Sequence, residues 1–151
     1  MGLRRKSRVL ALQFLFSHDF QGEEGNAGAF ATEFDLFCEA FSTELFGQHA
    51  EAGKKALPYA RHLVQGIYSQ LAEIDALLAE HSHNWRVVRM SSVDRNILRI
   101  AVFEMQAGKD APVQVVINEA LEIAKRYSVA DSVPFINGIL DAVRSARSDT
   151  A

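Results

Sequence analysis

A chain of 151 residues, 48% of them apolar, is the size of one domain with a substantial core, and no run of about eighteen uninterrupted apolar residues offers a membrane span. The single cysteine, Cys38, excludes an internal disulfide and a cysteine-rich metal cage, and fits a reducing, cytoplasmic setting. A formal net charge of −3 conceals a segregation: from Asp19 to Gly53 the only charged residues are acids, while bases gather before residue 9 and again between Arg86 and Arg99.

The first expected helix runs from Ser7 to about Phe20, with Val9, Leu10, Leu12, Leu15 and Phe16 forming a broad apolar stripe. Arg4, Arg5, Lys6 and Arg8 stand at or just before its start, where each exposed cation opposes the helix dipole by roughly 0.3–1 kcal/mol. That placement points to a use outside the helix. Four clustered cations with no core contact suit phosphate binding, the alternative being a merely solvated terminus. No small-residue cleavage site follows, so no signal peptide is expected.

Gly22, Gly25 and Gly28 mark a loop. Thr32 then serves as the expected N-cap of a second helix, in which Phe34, Phe37, Phe41 and Leu45 face a core. After a second loop over residues 47–55, Pro58 is expected to open one long helix. Its apolar positions, Ala60, Val64, Ile67, Leu71, Ile74 and Leu78, alternate in steps of four and three. His81 and His83 lack further ligands at metal spacing, as do His18, His49 and His62, so a connector is favoured over a zinc site. Trp85 is expected to plug the bundle end.

The segment from Ser91 to Met105 is the most apolar continuous helical run, and reads as a central helix buried on most sides. Ser91 caps it, with Asp94 three residues on in a capping-box arrangement at the positive end of the dipole. Arg95 and Arg99 are its other polar groups. Gly108-Lys109-Asp110 is a turn, and Pro112 starts a helix from its first position. Val113, Val116, Ile117, Ala120, Leu121, Ala124 and Tyr127 are expected to face inward, with Glu122 and Arg126 as an exposed pair. Asp131-Ser132 caps the last helix, with Phe135, Ile139, Leu140 and Val143 on its apolar side. Gly138 inside that helix implies that another helix or a ligand approaches the backbone there. No strand alternation, internal repeat, phosphate loop, nucleophile elbow or acid–base pair is visible, so neither an enzyme nor a cofactor is expected.

Three blocks resemble the NusB family of transcription antitermination factors. They are Arg4-Arg5-Lys6-Ser7-Arg8 running into residues 11–16, Val93 through Met105, and Pro112 through Leu140. Within the last, Ile117-Asn118-Glu119-Ala120, Ile123-Ala124-Lys125 and Asp131-Ser132 followed by Phe135-Ile136-Asn137-Gly138-Ile139-Leu140 look like the family signature, and Trp85 and Arg89 sit where many relatives have such residues. The resemblance implies an all-α bundle of about seven helices in two subdomains, read as one RNA-binding domain over residues 1–151. It implies binding to the single-stranded boxA element of ribosomal RNA leader transcripts together with NusE, a small-subunit ribosomal protein, within the transcription elongation complex. By position, Arg4, Arg5, Lys6 and Arg8 match the family's arginine-rich RNA-binding motif, Asp131 and Phe135 match residues flanking RNA, and Phe16 and Asp94 match the partner junction.

The chain departs from the family in three places. Phe16 stands where many relatives have tyrosine, Val133-Pro134 replaces a polar pair that often includes lysine, and residues 21–55 are longer and more acidic. A methyltransferase that carries the same domain needs a catalytic domain for which this length leaves no room. The alternative of another class is a homodimeric helical interaction module that binds no RNA. Phe135 stays open between a core position in phase with Ile139 and Val143 and an exposed stacking platform.

Overall fold

The structure, a computed structural model, describes residues 2–19, 32–40, 50–82, 87–108 and 111–150. Among them every regular element is helical. In chain order these are α1 (Leu3–Asp19), α2 (residues 32–40), α3 (Ala50–Ser69), α4 (Leu71–His81), a 3₁₀ turn (Val87–Arg89), α5 (Ser92–Ala107), α6 (Val113–Tyr127) and α7 (Ser132–Thr150). No helix is long and apolar enough among the described residues to cross a membrane. The chain divides into two compact units, Met1–Ser69 and Gln70–Ala151.

In the first unit α1 packs along α3, burying Leu10, Ala11, Phe14 and Leu15 from one helix and Ala56, Ala60, Leu63, Val64 and Ile67 from the other. Phe14 also receives α2, with the rings of Phe34 and Phe37 edge-on at 5.3 and 5.5 Å. Such T-shaped pairs contribute about 0.5–1.5 kcal/mol beyond area burial, so the expected aromatic stripe does face the core where it is described. Its continuation at Phe41 and Leu45 lies outside the described residues. The Ser7 hydroxyl, fully buried, donates to the Ala56 carbonyl at 2.8 Å and ties the first turn of α1 to α3.

Two boundaries in this unit differ from expectation. Helix α1 begins at Leu3, four residues before Ser7, so its cations lie within its first two turns. Helix α3 begins at Ala50, and Pro58 lies inside it, so that proline does not open the helix. Having no N–H, Pro58 gives Lys54 no ladder bond, a loss the packing against α1 outweighs.

The long helix expected from Pro58 to Leu78 is two helices. It breaks at Gln70, whose φ of −120° and ψ of 20° leave the helical region, and α4 starts anew with the Ile74 N–H donating to the Gln70 carbonyl. Neither proline nor glycine marks the break. Ser69, however, turns its hydroxyl back onto the Gln65 carbonyl at 2.8 Å, competing with the ladder in the last turn of α3. The apolar rhythm runs on in phase across the break, with Ala60, Val64 and Ile67 buried in the first unit and Ile74 and Leu78 in the second.

The second unit is built on α5, which contacts α4, α6 and α7. Ile97, Leu98 and every residue from Ile100 to Met105 are buried, as the continuous apolar run predicts. Arg99 clamps α5 to α4 with a bidentate pair to Asp75, at 2.9 and 2.8 Å, and donates a third bond to Asn96. The C-terminus of α5 closes on Gly108, whose φ of 66° only glycine adopts without strain and whose N–H reaches the Glu104 carbonyl. Arg147 of α7 donates to the Met105 carbonyl and brings a cation to the negative end of the dipole.

Helix α6 buries Val116, Ile117, Ala120, Ile123 and Ala124, whereas Val113, Leu121 and Tyr127 are only half-buried. Pro112 is its N-cap, one position ahead of expectation. Glu122 pairs with Lys125 at 3.0 Å in place of Arg126. Both partners are exposed, and such surface pairs contribute little. In α7 the buried face is Ile136, Ile139, Leu140 and Val143.

Gly138 does not show the close helix approach that is one of the two expectations attached to it. It is exposed, and a Cβ built there meets nothing within 4 Å, so among the described residues no helix approaches its backbone. Gly138→Ala is therefore expected to stabilise the protein by about 0.8–1 kcal/mol through helix propensity, read as a higher Tm in thermal denaturation. A lower Tm would show a steric neighbour at that position.

Candidate functional site

In the first unit the basic cluster and Phe16 share α1. Arg4 is exposed and lies over the Tyr59 ring of α3, its guanidinium carbon 3.6 Å from the centroid. A cation–π contact at an exposed site contributes about 0.5–1 kcal/mol and fixes the plane of the guanidinium while leaving its edge donors outward. Arg5 and Lys6 are half-buried.

Arg8 is different. It is 4% exposed, so the expectation that all four cations stand clear of the core fails there. The reason is that α1 is buried on every side over this stretch, Ser7, Val9, Leu10, Ala11 and Leu12 being buried along with Arg8. Truncating Arg8 therefore disturbs folding as well as any ligand, whereas Arg4 and Lys6 report on the surface.

Phe16 is 38% exposed on the last turns of α1. Twelve residues separate it from Arg4 in the sequence, which at about 1.5 Å per residue places the cations and this aromatic near opposite ends of the helix. Close by, His18 is buried against Phe14, its ring centroid 4.0 Å away, and its Nε2 meets the Glu33 carboxylate at 2.5 Å. That contact ties α1 to α2. Cys38 is buried on α2, and burial, with Asp35 adding to it, pushes its thiol up to about 11, so it is not a ready nucleophile at neutral pH.

The second unit brings three of the expected site residues together. Asp94, Asp131 and Phe135 line one cleft of about 340 Å³ with Arg89, Met90, Ser91 and Ser132. The cleft opens where α5 and α7 begin. Ser91 caps α5, its hydroxyl accepting the Asp94 N–H at 3.1 Å. The Asp94 carboxylate does not serve the reciprocal half of a capping box, because it accepts the hydroxyls of Ser128 at 2.5 Å and Ser132 at 2.6 Å. It is 7% exposed. Asp94 thus stands within the cleft wall and joins the start of α5 to the end of α6 and the start of α7.

Asp131 is exposed at the mouth and Phe135 is half-buried. The core phase of α7 passes through Ile136, one residue beyond, so Phe135 is not a core residue. Met90 is buried in the same wall, and Arg89 is exposed at the rim. An aromatic face, a thioether and an outer cation and carboxylate form a site for a flat group carrying donors and negative charge.

Sequence reasoning had no signal for Ser128, since a hydroxyl after a helix finds its partner only through the fold. Met90 is not singled out by the sequence, and Ser91 reads there as a cap alone. Trp85 and His83 lie outside the described residues. No group of three or more acids, histidines or cysteines among the described residues is placed to hold a metal.

Helices as the only regular elements among the described residues, in two units with a basic first helix and a cleft where α5 and α7 begin, define the class as that of a small all-helical protein. The chain belongs to the NusB family, which it matches over residues 5–145. It is 41% identical to the transcription antitermination protein NusB of Desulfotalea psychrophila, over 96% of this chain and 97% of that one. Among solved structures it is similar to NusB of T. maritima, with a TM-score of 0.74 and 37% identity over 93% of this chain and 89% of that one. It is similar also to a structure of the antitermination factors NusB and NusE in complex with double-stranded RNA, with a TM-score of 0.71, 27% identity, and 97% and 98% of the two chains covered.

Proposed function

We propose that this protein is an RNA-binding transcription antitermination factor of the cytoplasm that acts with NusE on the boxA element of ribosomal RNA leader transcripts, within the elongation complex, and catalyses no reaction. The observation that carries the proposal is the cleft, where the half-buried Phe135 ring and the exposed Asp131 carboxylate stand at one mouth. A half-exposed aromatic ring can stack on a base, and a carboxylate accepts from base amino groups. Arg4, Arg5 and Lys6 supply cations for phosphates, Arg8 fixes the turn that carries them, and the exposed Phe16 offers an apolar anchor to NusE. The solved neighbour holding NusB, NusE and RNA supports that set of partners.

The test is a titration of a boxA-like single strand, and of its duplex, with and without NusE, beside a sizing measurement. Binding of the single strand that tightens with NusE is the expected result. No binding at any salt, together with a stable homodimer, would replace the proposal with that of an interaction module. In the double variant Arg4→Ala with Lys6→Ala, affinity is expected to fall several-fold and the slope of log K against log salt to flatten by about 1.4, at about 0.7 per phosphate for a single strand. Its Tm should stay close to the parent's, since neither side chain is buried.

A further inference from the structure

Arg89 is the one cation among the described residues that line the cleft. It closes the short 3₁₀ turn Val87–Arg89, directly ahead of buried Met90 and the Ser91 cap of α5. Its side chain is exposed, and no ion pair or hydrogen bond occupies its guanidinium among the described residues. Two other described arginines of this unit, Arg99 and Arg95, are held. Arg99 grips Asp75, and Arg95 donates to the Val87 carbonyl at 3.3 Å, bracing the backbone of the same turn that presents Arg89.

The carboxylates of the cleft do not cancel this charge equally. Asp94 is turned inward and engaged by two hydroxyls, which leaves Asp131 as the exposed acid. Among the described residues the cleft therefore offers one exposed cation, one half-buried aromatic ring, one exposed acceptor and a buried thioether. At about 340 Å³ the cleft lies at the lower end of the range for small-ligand sites, roughly 300–1,000 Å³. It takes one nucleotide rather than a stack of several.

From this arrangement we infer that the cleft is a single-nucleotide subsite in which Arg89 anchors the phosphate of the nucleotide whose base lies against Phe135. The inference rests on the RNA-binding reading and adds to it a residue and a stoichiometry. A planar guanidinium holds a phosphate through paired N–H donors, and the N-terminal end of α5 beside it contributes favourable potential for an anion. A phosphate contact carries no base preference, so Arg89 sets affinity and register, while base choice falls to the aromatic face and the acceptor. A protein side chain seated in the cleft is the competing occupant, and an exposed unengaged cation beside the aromatic favours the nucleotide.

The experiment compares the full-length protein with Arg89→Gln and Arg89→Lys, titrating a boxA-like single strand and two base-substituted strands across a salt series, and titrating NusE separately. Arg89→Gln is expected to lower affinity about tenfold on every strand and to flatten the salt slope by about 0.7, the loss of one phosphate contact. Arg89→Lys should keep the parent's slope with a smaller affinity loss, because it retains the charge but not the paired donors. Far-ultraviolet circular dichroism and Tm of both variants should match the parent. Unchanged RNA affinity and slope in Arg89→Gln, with the parent binding normally, would overturn the inference alone. Loss of NusE affinity with RNA binding intact would assign the cleft to the protein partner and overturn it as well. A parent that binds no RNA would remove both this inference and the function it rests on.

Discussion

Asp94→Ala is expected to destabilise the protein by about 3 kcal/mol or more and to lower Tm on the order of 10 °C in a thermal melt. Each oxygen of this buried carboxylate accepts a serine hydroxyl, Ser128 on one side and Ser132 on the other. A hydrogen bond to a charged group contributes about 1.5–3 kcal/mol, and the carboxylate at the third position of α5 adds a favourable dipole term of about 0.3–1 kcal/mol. Truncation also strands two hydroxyls, one of them nearly solvent-free. Asp94→Asn should lose roughly half as much, since the amide still accepts one hydroxyl and donates to the other, but carries no charge. Because the same three side chains hold the starts of α5 and α7 around the cleft, RNA affinity should fall with stability in Asp94→Ala. An unchanged Tm would show that the clamp contributes nothing.

For Phe135→Ala the expected loss is one of binding: about 1–3 kcal/mol of RNA affinity, the range for base–aromatic stacking, with a fall in Tm well below that of a core phenylalanine. A fully buried phenylalanine truncated to alanine costs roughly 3–5 kcal/mol of folding stability. The half-buried ring of Phe135, with Ile136 taking the core position beside it, does not reach that figure. Phe34, buried against Phe14, is the internal control, because Phe34→Ala should show the full core penalty. Isothermal titration and thermal melts on both variants separate the two effects. A large drop in Tm for Phe135→Ala with RNA affinity intact would return that ring to the core and remove it from the site.

Phe135 also shows where legibility in the sequence ends. Its spacing to Ile139 and Val143 is that of a core stripe, yet the buried face of α7 is centred on Ile136, Ile139, Leu140 and Val143. Periodicity gives the width of an apolar face but not which edge of it meets solvent, since that depends on how the neighbouring helices are rolled. The same ambiguity hid Arg8. An arginine four residues after Arg4 looks like part of one basic surface, and only the packing of α1 on α3 decides that one is exposed and the other buried.

By itself the sequence determined the helical class, the approximate bounds of the helices from Ser91 onward, the burial of the Ser91–Met105 run, the cap at Ser91 and the location of its cations and acids, because these follow from local periodicity, capping chemistry and composition. Only the tertiary structure decided that the apolar rhythm from Ala60 to Leu78 belongs to two helices in two units. Only it decided that Asp94 holds Ser128 and Ser132, and that Arg89, Asp131 and Phe135 share a cleft. These are pairings between residues 34 and more positions apart in the first case and between the 3₁₀ turn and the start of α7 in the second, and no local energy term selects them. They exist because burying the apolar faces of α4, α6 and α7 against α5 brings the helix ends together, and the polar groups at those ends then take the partners within reach.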